Sequence, residues 1–181
     1  EYFQLCRDRL NPGGFVTQWV PFYESDRAVV QSEIATFFSV FPEGTIWGND
    51  DEGYGYDTVM LGQAKPLLVD VGELQKRLNR PDHARVVQSL NPLALGTSTQ
   101  LLSTYAGRNS DLKEWLAKAE INRDRNLRLQ YLAGMQLDSE NGAESYGEMV
   151  EQRSFPYDLF KATETQLGAI RTSMEGRRLI Q

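Results

Sequence analysis

Apolar residues recur along the first third of the chain with two different periods. Residues 1–10 and 26–41 place apolar side chains at helical spacing, and Val30 and Ile34 belong to the clearest stripe. Residues 15–20 form a nearly continuous apolar run, which is typical of a strand covered on both faces. The pattern therefore predicts a helix, a strand and a second helix, which a Pro-Glu-Gly sequence ends.

Two further strands are predicted after this second helix. They cover residues 45–47 and 57–62 and are separated by a polar, glycine-bearing loop at 49–55. That loop is too short for a crossover connection, so the two strands should be antiparallel. Ser25 or Asp26 is the candidate N-cap of the preceding helix.

The remainder of the chain has mainly helical patterns. Helices are predicted at residues 71–79, 82–90, 93–106 and 110–119. The alternation of apolar and polar residues at 127–132 predicts one short strand. Residues 134–156 read as a loop with a short helix. A final helix should start near residue 154, and its apolar stripe either packs on the body of the protein or docks a partner.

The turn and strand at residues 10–24 organise the fold prediction. Gly13 and Gly14 supply the backbone freedom for a turn from helix to strand. In an open α/β sheet, ligands bind beyond the carboxyl ends of the strands. Residues 21–24 are therefore the first place to look for a site.

Charge and cysteine content exclude several classes of function. The net charge of −6 and the pI of about 4.9 argue against binding to nucleic acid or to an anionic membrane surface. Cys6 is the only cysteine, so a disulfide framework or a cysteine-based metal site within one chain is excluded. No apolar run approaches the ~20 residues of a membrane-spanning helix, and we expect a cytoplasmic location.

Several motifs in the first 62 residues resemble the second half of the catalytic domain of spermidine synthase-like proteins. They are Glu1-Tyr2-Phe3, Leu10-Asn11-Pro12-Gly13-Gly14, Gln18-Trp19-Val20-Pro21-Phe22-Tyr23-Glu24, Phe41-Pro42 and Asp57-Thr58-Val59-Met60-Leu61-Gly62. Variants with Gln-Trp-x-Pro are often bacterial proteins in which this domain follows a membrane region. Residues 121–132 resemble a second segment of those variants, although Arg123 and Leu127 depart from it.

The resemblance implies a methyltransferase-like Rossmann fold. It implies that residues 1–63 are the carboxy-terminal half of the catalytic domain, with about three strands of which the last is antiparallel. Residues 64–181 would then be a mainly helical extension. The front half of the family's domain carries the glycine-rich cofactor loop and the catalytic aspartate, and neither motif occurs in this sequence. We therefore expect a carboxy-terminal portion of a longer protein.

For that parent protein, the resemblance implies polyamine biosynthesis. The reaction is aminopropyl transfer from decarboxylated S-adenosylmethionine to a polyamine, or a related transfer from S-adenosylmethionine. It does not imply activity for these 181 residues alone, and no catalytic, cofactor-binding or metal-binding residue is assigned to them. The alternative is a module of the same fold that has lost catalysis and binds or regulates a partner.

Four residues are candidate contacts for the amine substrate. Gln18 matches a glutamine that lies near the amine in spermidine synthases, and an amide can bind an ammonium without adding charge. Glu24 can attract an ammonium, and Tyr23 can form a wall of the pocket. Tyr54 lies in the loop where the family often places a tyrosine at the substrate. Each of these side chains is also compatible with an ordinary structural role.

Other chemistry-bearing residues give weaker signals. Asp50, Asp51 and Glu52 could bind a polyamine or a hard cation, but adjacent carboxylates in a loop are more often simply solvated. His83 is the only histidine and reads as a surface residue. If no neighbouring strand is present, the strand at residues 15–20 has a free edge, and exposed edges invite pairing with another chain. We therefore expect a homodimer or another cover for that edge.

Overall fold

The structure is a computed structural model that describes residues 1–23, 25–51, 54–134 and 142–178. The helices are α1 (Tyr2–Asp8), α2 (Arg27–Phe38), α3 (Val71–Leu78), α4 (Ala84–Leu90), α5 (Ser98–Leu102), α6 (Arg128–Gly134), α7 (Gly142–Glu151) and α8 (Glu164–Arg178). The strands are β1 (Phe15–Pro21), β2 (Thr45–Asp51), β3 (Tyr54–Gln63), β4 (Val69–Asp70), β5 (Tyr105–Arg108) and β6 (Phe160–Lys161). None of the helices in these ranges is long and apolar enough to cross a membrane.

Four strands form the main sheet in the order β1-β3-β2-β5. The strand β3 is antiparallel to both β1 and β2, and Met60 is the register partner of Gln18 on one side and of Ile46 on the other. The predicted antiparallel pairing of β2 with β3 is confirmed. The fold is α/β, as expected, and β3 lies between two strands that precede it in the chain.

The two faces of this sheet are unequally covered. Successive side chains of a strand point to opposite faces, and the buried residues Val20 and Met60 share one face. That face packs on α2 in a single core. Phe15, Trp19 and Val59 lie on the other face and are 60%, 49% and 39% exposed. The prediction that β1 is covered on both faces is wrong, because β1 is an edge strand with one open face.

The segment of α2 and the turn after it packs closely on the sheet at Gly62 of β3. A Cβ atom at Gly62 of β3 would lie 2.6 Å from Cζ of Phe37 and from Cγ of Phe41. Both rings are fully buried and stand 4.9 Å apart. Asp26 begins the helix as its N-cap, since its carboxylate accepts a 2.9 Å hydrogen bond from the N–H of Val29.

The predicted strand at residues 127–132 is wrong, because this segment begins the helix α6. The side chain of Asn122 accepts a 3.0 Å hydrogen bond from the N–H of Leu129, and that of Asn126 accepts one of 3.2 Å from Arg128. These bonds satisfy N–H groups that a helix start leaves open. In a strand, Tyr131 would share the apolar face with Leu127 and Leu129. In α6, Leu132 is buried and Tyr131 is exposed.

Other boundaries also differ from the sequence prediction. The final helix, α8, begins at Glu164 rather than near residue 154, because the strand β6 precedes it. The strand β2 continues to Asp51 and β3 begins at Tyr54, so most of the loop expected at residues 49–55 is strand. The helix expected at 93–106 is shortened to α5, which starts at a capping box between Thr97 and Gln100, and β5 follows it. The segment 110–119 forms successive turns rather than a regular helix.

The chain divides into two compact units, Glu1–Leu67 with Ala106–Ser154 and Leu68–Tyr105 with Phe155–Gln181. The first therefore includes α6 and α7, which lie in the part of the chain assigned from sequence to the helical extension of residues 64–181. In the second, β4 and β6 pair in parallel, and α8 buries Ile170 and Met174. The buried side chains show that α8 packs against other parts of this chain, which was the first of the two alternatives given for the final helix.

Gly142 and Gly147 of α7 give a matched pair of stability predictions. A Cβ at Gly142 would lie 2.3 Å from the backbone oxygen of Phe22, whereas nothing lies within 4 Å of a Cβ at Gly147. We expect Gly142→Ala to lower the free energy of unfolding by about 1–3 kcal/mol. Gly147→Ala should raise it by about 0.5–1 kcal/mol, because alanine is the better helix former. Urea unfolding followed by circular dichroism measures both, and equal stability of the two variants would contradict the packing described here.

Candidate functional site

An open cleft lies beyond the carboxyl end of β1. Two residues at the start of α2, Asp26 and Arg27, line one part of it, and Glu144, Ser145 and Glu148 of α7 line the rest. Its volume is about 270 Å³. The cleft therefore occupies the kind of position at which open α/β sheets bind ligands.

The charges lining this cleft are predominantly negative. Arg27 forms an ion pair with Glu148, with its Nη1 atom 3.0 and 3.1 Å from the two carboxylate oxygens. The guanidinium also lies 6.0 Å from the ring centroid of Trp115, whose Nε1 donates a 3.4 Å hydrogen bond to Glu148. Three carboxylates and one guanidinium leave a formal charge of −2 in the cleft. The carboxylates of Asp26 and Glu144 are the ones that Arg27 does not pair.

Gln18 lies on the face of the sheet that packs on α2. Its Nε2 atom donates to the backbone oxygen of Trp19 at 2.9 Å and to Oε1 of Glu33 at 3.0 Å. Both side chains are half-buried. Gln18 is therefore held in place by a carboxylate of α2, a partner that the sequence prediction did not include.

Burial changes the acidity of Glu33. It raises the pKa of the Glu33 carboxyl from its ordinary value of 4.5 to about 7, while the hydrogen bond donated by Gln18 lowers that pKa by a smaller amount. A half-buried carboxyl loses part of the solvation of its charged form, which explains the direction. Near neutral pH, Glu33 consequently exchanges between its charged and neutral forms.

Tyr23 lies with a different group of side chains. Its ring centroid is 6.1 Å from that of Trp19, and Nε1 of Trp19 donates a 2.9 Å hydrogen bond to Asp57. Trp19 and Asp57 are on the open face of the sheet, opposite to Gln18. Tyr23 therefore sits beside the open face, and neither Tyr23 nor Gln18 is among the residues that line the cleft.

The other two predicted contacts lie outside what the structure describes. Glu24 is not among the described residues, and for Tyr54 the described part does not include the side chain. The side chains of Asp50 and Asp51, and all of Glu52, are likewise outside it. Among the described residues, no group of three or more histidine, cysteine, aspartate or glutamate side chains is placed to hold a metal ion.

His83 and Cys6 do not line the cleft. The Nδ1 atom of His83 lies 3.1 Å from the carboxylate of Asp82, which also pairs with Arg80. Both partners are exposed or half-exposed, so this surface contact contributes little to stability. Cys6 is a half-buried free thiol.

The sequence analysis did not identify Glu33, Glu144 or Glu148 as candidate site residues. Glu33 had a readable signal, because it lies three residues after Val30 and four before Phe37 and so falls within the apolar stripe of its helix. Glu144 and Glu148 had none, since they lie about 120 residues after Asp26 and only the tertiary fold brings them to it.

No protein-family model matches this chain, and no curated protein or solved structure matches it either.

The raised pKa of Glu33 predicts a specific pH dependence of stability. Because its folded-state pKa lies above the unfolded value, its contribution to stability is complete below pH 4.5 and is lost as the pH rises to about 7. The loss should be on the order of 3 kcal/mol in the free energy of unfolding. We expect Glu33→Gln to remove it, in urea unfolding between pH 4.5 and 8. Glu43→Gln, at an exposed position, should leave it unchanged, and a wild-type profile in Glu33→Gln would contradict the burial of this carboxyl.

Proposed function

We propose that this chain is the carboxy-terminal portion of a spermidine synthase-like transferase and provides the amine-binding side of its pocket. The observation that carries the proposal is the acidic cleft beyond the carboxyl end of β1. A cleft with a formal charge of −2 suits a ligand with two or more ammonium groups, such as a polyamine. Gln18, Tyr23, Glu24 and Tyr54 remain the contacts that the resemblance implies, but neither Gln18 nor Tyr23 lines this cleft, so within this proposal the cleft binds the amine through Asp26, Glu144 and Glu148.

The topology of the first unit supports the Rossmann-like part of the proposal. Since β1 and β2 are both antiparallel to β3, they are parallel to each other, and α2 connects them. Parallel strands joined by a crossover helix occur in doubly wound sheets, and here the antiparallel strand β3 lies between the two. The strand β3 is antiparallel to both β1 and β2, which agrees with this proposal, but the sheet has a fourth strand, β5, where about three strands were expected.

The donor of the transferred group has no proposed site in this chain. We assign the binding of decarboxylated S-adenosylmethionine, or of S-adenosylmethionine, to a preceding half-domain of the parent protein. That half-domain would pair with the free edge of β1 and complete the sheet. A cytoplasmic location belongs to the same proposal.

Calorimetric titration of the chain with spermidine tests the amine site. We expect binding that weakens as salt is added, because ions screen the attraction between ammonium groups and carboxylates. Glu144→Gln should weaken binding roughly threefold to tenfold, since it removes a carboxylate of the cleft that Arg27 does not pair. Glu151→Gln is the matched control, because Glu151 lies on the same helix, is exposed and does not line the cleft. Equal affinity of the two variants would rule out the cleft as the amine site.

A second candidate function is a non-catalytic interaction module, and the edge of the sheet favours it. The strand β1 ends the sheet, and within the described ranges no other strand pairs with its outer edge. Beside this edge lie Phe15 and Trp19, which are about half exposed or more. An unpaired strand edge next to exposed aromatic side chains is a template for pairing with another chain. The expected homodimer would use this edge.

Sedimentation equilibrium tests the homodimer. If two copies pair through β1, Phe15→Lys should shift the chain from dimer to monomer, because a lysine on an edge strand disfavours pairing. Leu93→Lys is the control, since Leu93 is a similarly exposed apolar residue, at 62%, in the other compact unit. A wild-type chain that is monomeric at all concentrations, or a dimer that survives Phe15→Lys, would exclude pairing through β1.

A further inference from the structure

The backbone groups along the outer edge of β1 belong to three residues of that strand. The carbonyl oxygen of Val20 accepts a 3.4 Å hydrogen bond from the hydroxyl of Thr58 on β3, so it points towards β3. In an antiparallel ladder each residue directs its N–H and its C=O to the same side, and successive residues alternate. The N–H and C=O groups of Phe15, Thr17 and Trp19 therefore point away from β3, to the outer edge.

The strand β1 lacks the features that keep a further strand away from such an edge. Residues 15–20 include no charged side chain and no proline, both of which commonly protect strand edges. The register with β3 also runs without a bulge from Phe15 to Pro21. The backbone oxygen of Trp19 accepts a hydrogen bond from Nε2 of Gln18, but a carbonyl oxygen has a second lone pair for a bond across the edge.

The side-chain sequence of β1 is symmetrical about Thr17. In Phe-Val-Thr-Gln-Trp, one aromatic residue lies two positions before Thr17 and another lies two positions after it. Phe15, Thr17 and Trp19 lie on the open face of the sheet, and all three are exposed. Two copies related by a two-fold axis present the same segment in opposite directions, so a symmetrical segment meets its own complement.

We propose that two copies of this chain pair antiparallel through β1, with the two-fold axis passing at Thr17. This inference rests on the proposed interaction module and adds the orientation and the register of its homodimer. Phe15 of each copy then faces Trp19 of the other, and the two Thr17 residues face each other. Cross-strand aromatic pairs and threonine pairs both stabilise a sheet. Every outward N–H and C=O group of the three residues also finds a partner in this register.

The neighbouring registers lose part of these contacts. An axis one residue later would place Phe15 opposite Pro21, which has no N–H to donate, and Trp19 opposite Thr17. An axis one residue earlier would place Trp19 opposite a position that precedes the strand. Both shifts break backbone hydrogen bonds and separate the aromatic pairs, so the register centred on Thr17 is favoured.

Single cysteines along the edge locate the axis, because a residue lies next to its own counterpart only where the strand crosses it. In the proposed register, the two Cα atoms at position 17 are about 5.5 Å apart, which a disulfide can bridge. Those at position 15, or at position 19, are about 14 Å apart. In a Cys6→Ser background under mild oxidation, we expect Thr17→Cys to form a covalent dimer roughly tenfold faster than Phe15→Cys or Trp19→Cys. Non-reducing gel electrophoresis measures these rates.

A further cysteine variant provides the control for random collision. Leu93→Cys in the same background should cross-link no faster than Phe15→Cys, because Leu93 is exposed but lies in the other compact unit. Circular dichroism verifies that each variant is folded before its rate is compared.

The outcomes separate this inference from the homodimer itself. Fastest cross-linking at position 15 or 19 would place the axis elsewhere, and equal rates at all three positions would indicate parallel strands. Either result would overturn the proposed register while leaving the homodimer in place. A chain that sediments as a dimer but cross-links at none of the three positions above the Leu93→Cys rate would exclude β1 as the interface. A wild-type chain that is monomeric at all concentrations would contradict both proposals.

Discussion

The packing of α2 on the sheet is the constraint on which the first unit depends. The rings of Phe37 and Phe41 lie so close to β3 that only a glycine fits at position 62. This contact fixes the depth of the helix over the sheet, and the connection of α2 to β1 fixes its direction. Asp26 is thereby placed at the cleft, and Glu33 is placed beside Gln18. The position of the candidate site therefore depends on how α2 packs on the sheet.

Glu33 illustrates how burial of a carboxyl group lowers stability at neutral pH. A carboxyl group within the apolar stripe of a helix loses solvation, and the cost appears as a raised pKa. The amide of Gln18 offsets part of that cost. Sites that carry out acid–base chemistry or bind charged ligands commonly have this property.

The two faces of the sheet carry different chemistry. The face that packs on α2 carries Gln18 hydrogen-bonded to Glu33, and the acidic cleft is lined by residues at the start of α2 and on α7. The opposite face carries the exposed side chains of Trp19 and Val59, and among the described residues no strand pairs with the outer edge of β1. The transferase proposal and the interaction proposal therefore concern different surfaces. They can be tested separately, because a change on one face leaves the other intact.

The sequence by itself determined the local structure of the first 62 residues, apart from the lengths of β2 and β3. Periodicity placed α1, β1 and α2, the N-cap at Asp26 followed from residue type, and the short connection between β2 and β3 required antiparallel pairing. Each of these depends on interactions between residues close in the chain.

Local pattern failed at α6, where a helix is stabilised by the side chains of Asn122 and Asn126 despite strand-like alternation. Only the tertiary structure decided that β3 lies between β1 and β2, that one face of β1 is open, and that Glu144 and Glu148 join Asp26. Those outcomes depend on contacts between residues far apart in the chain, which no local period encodes.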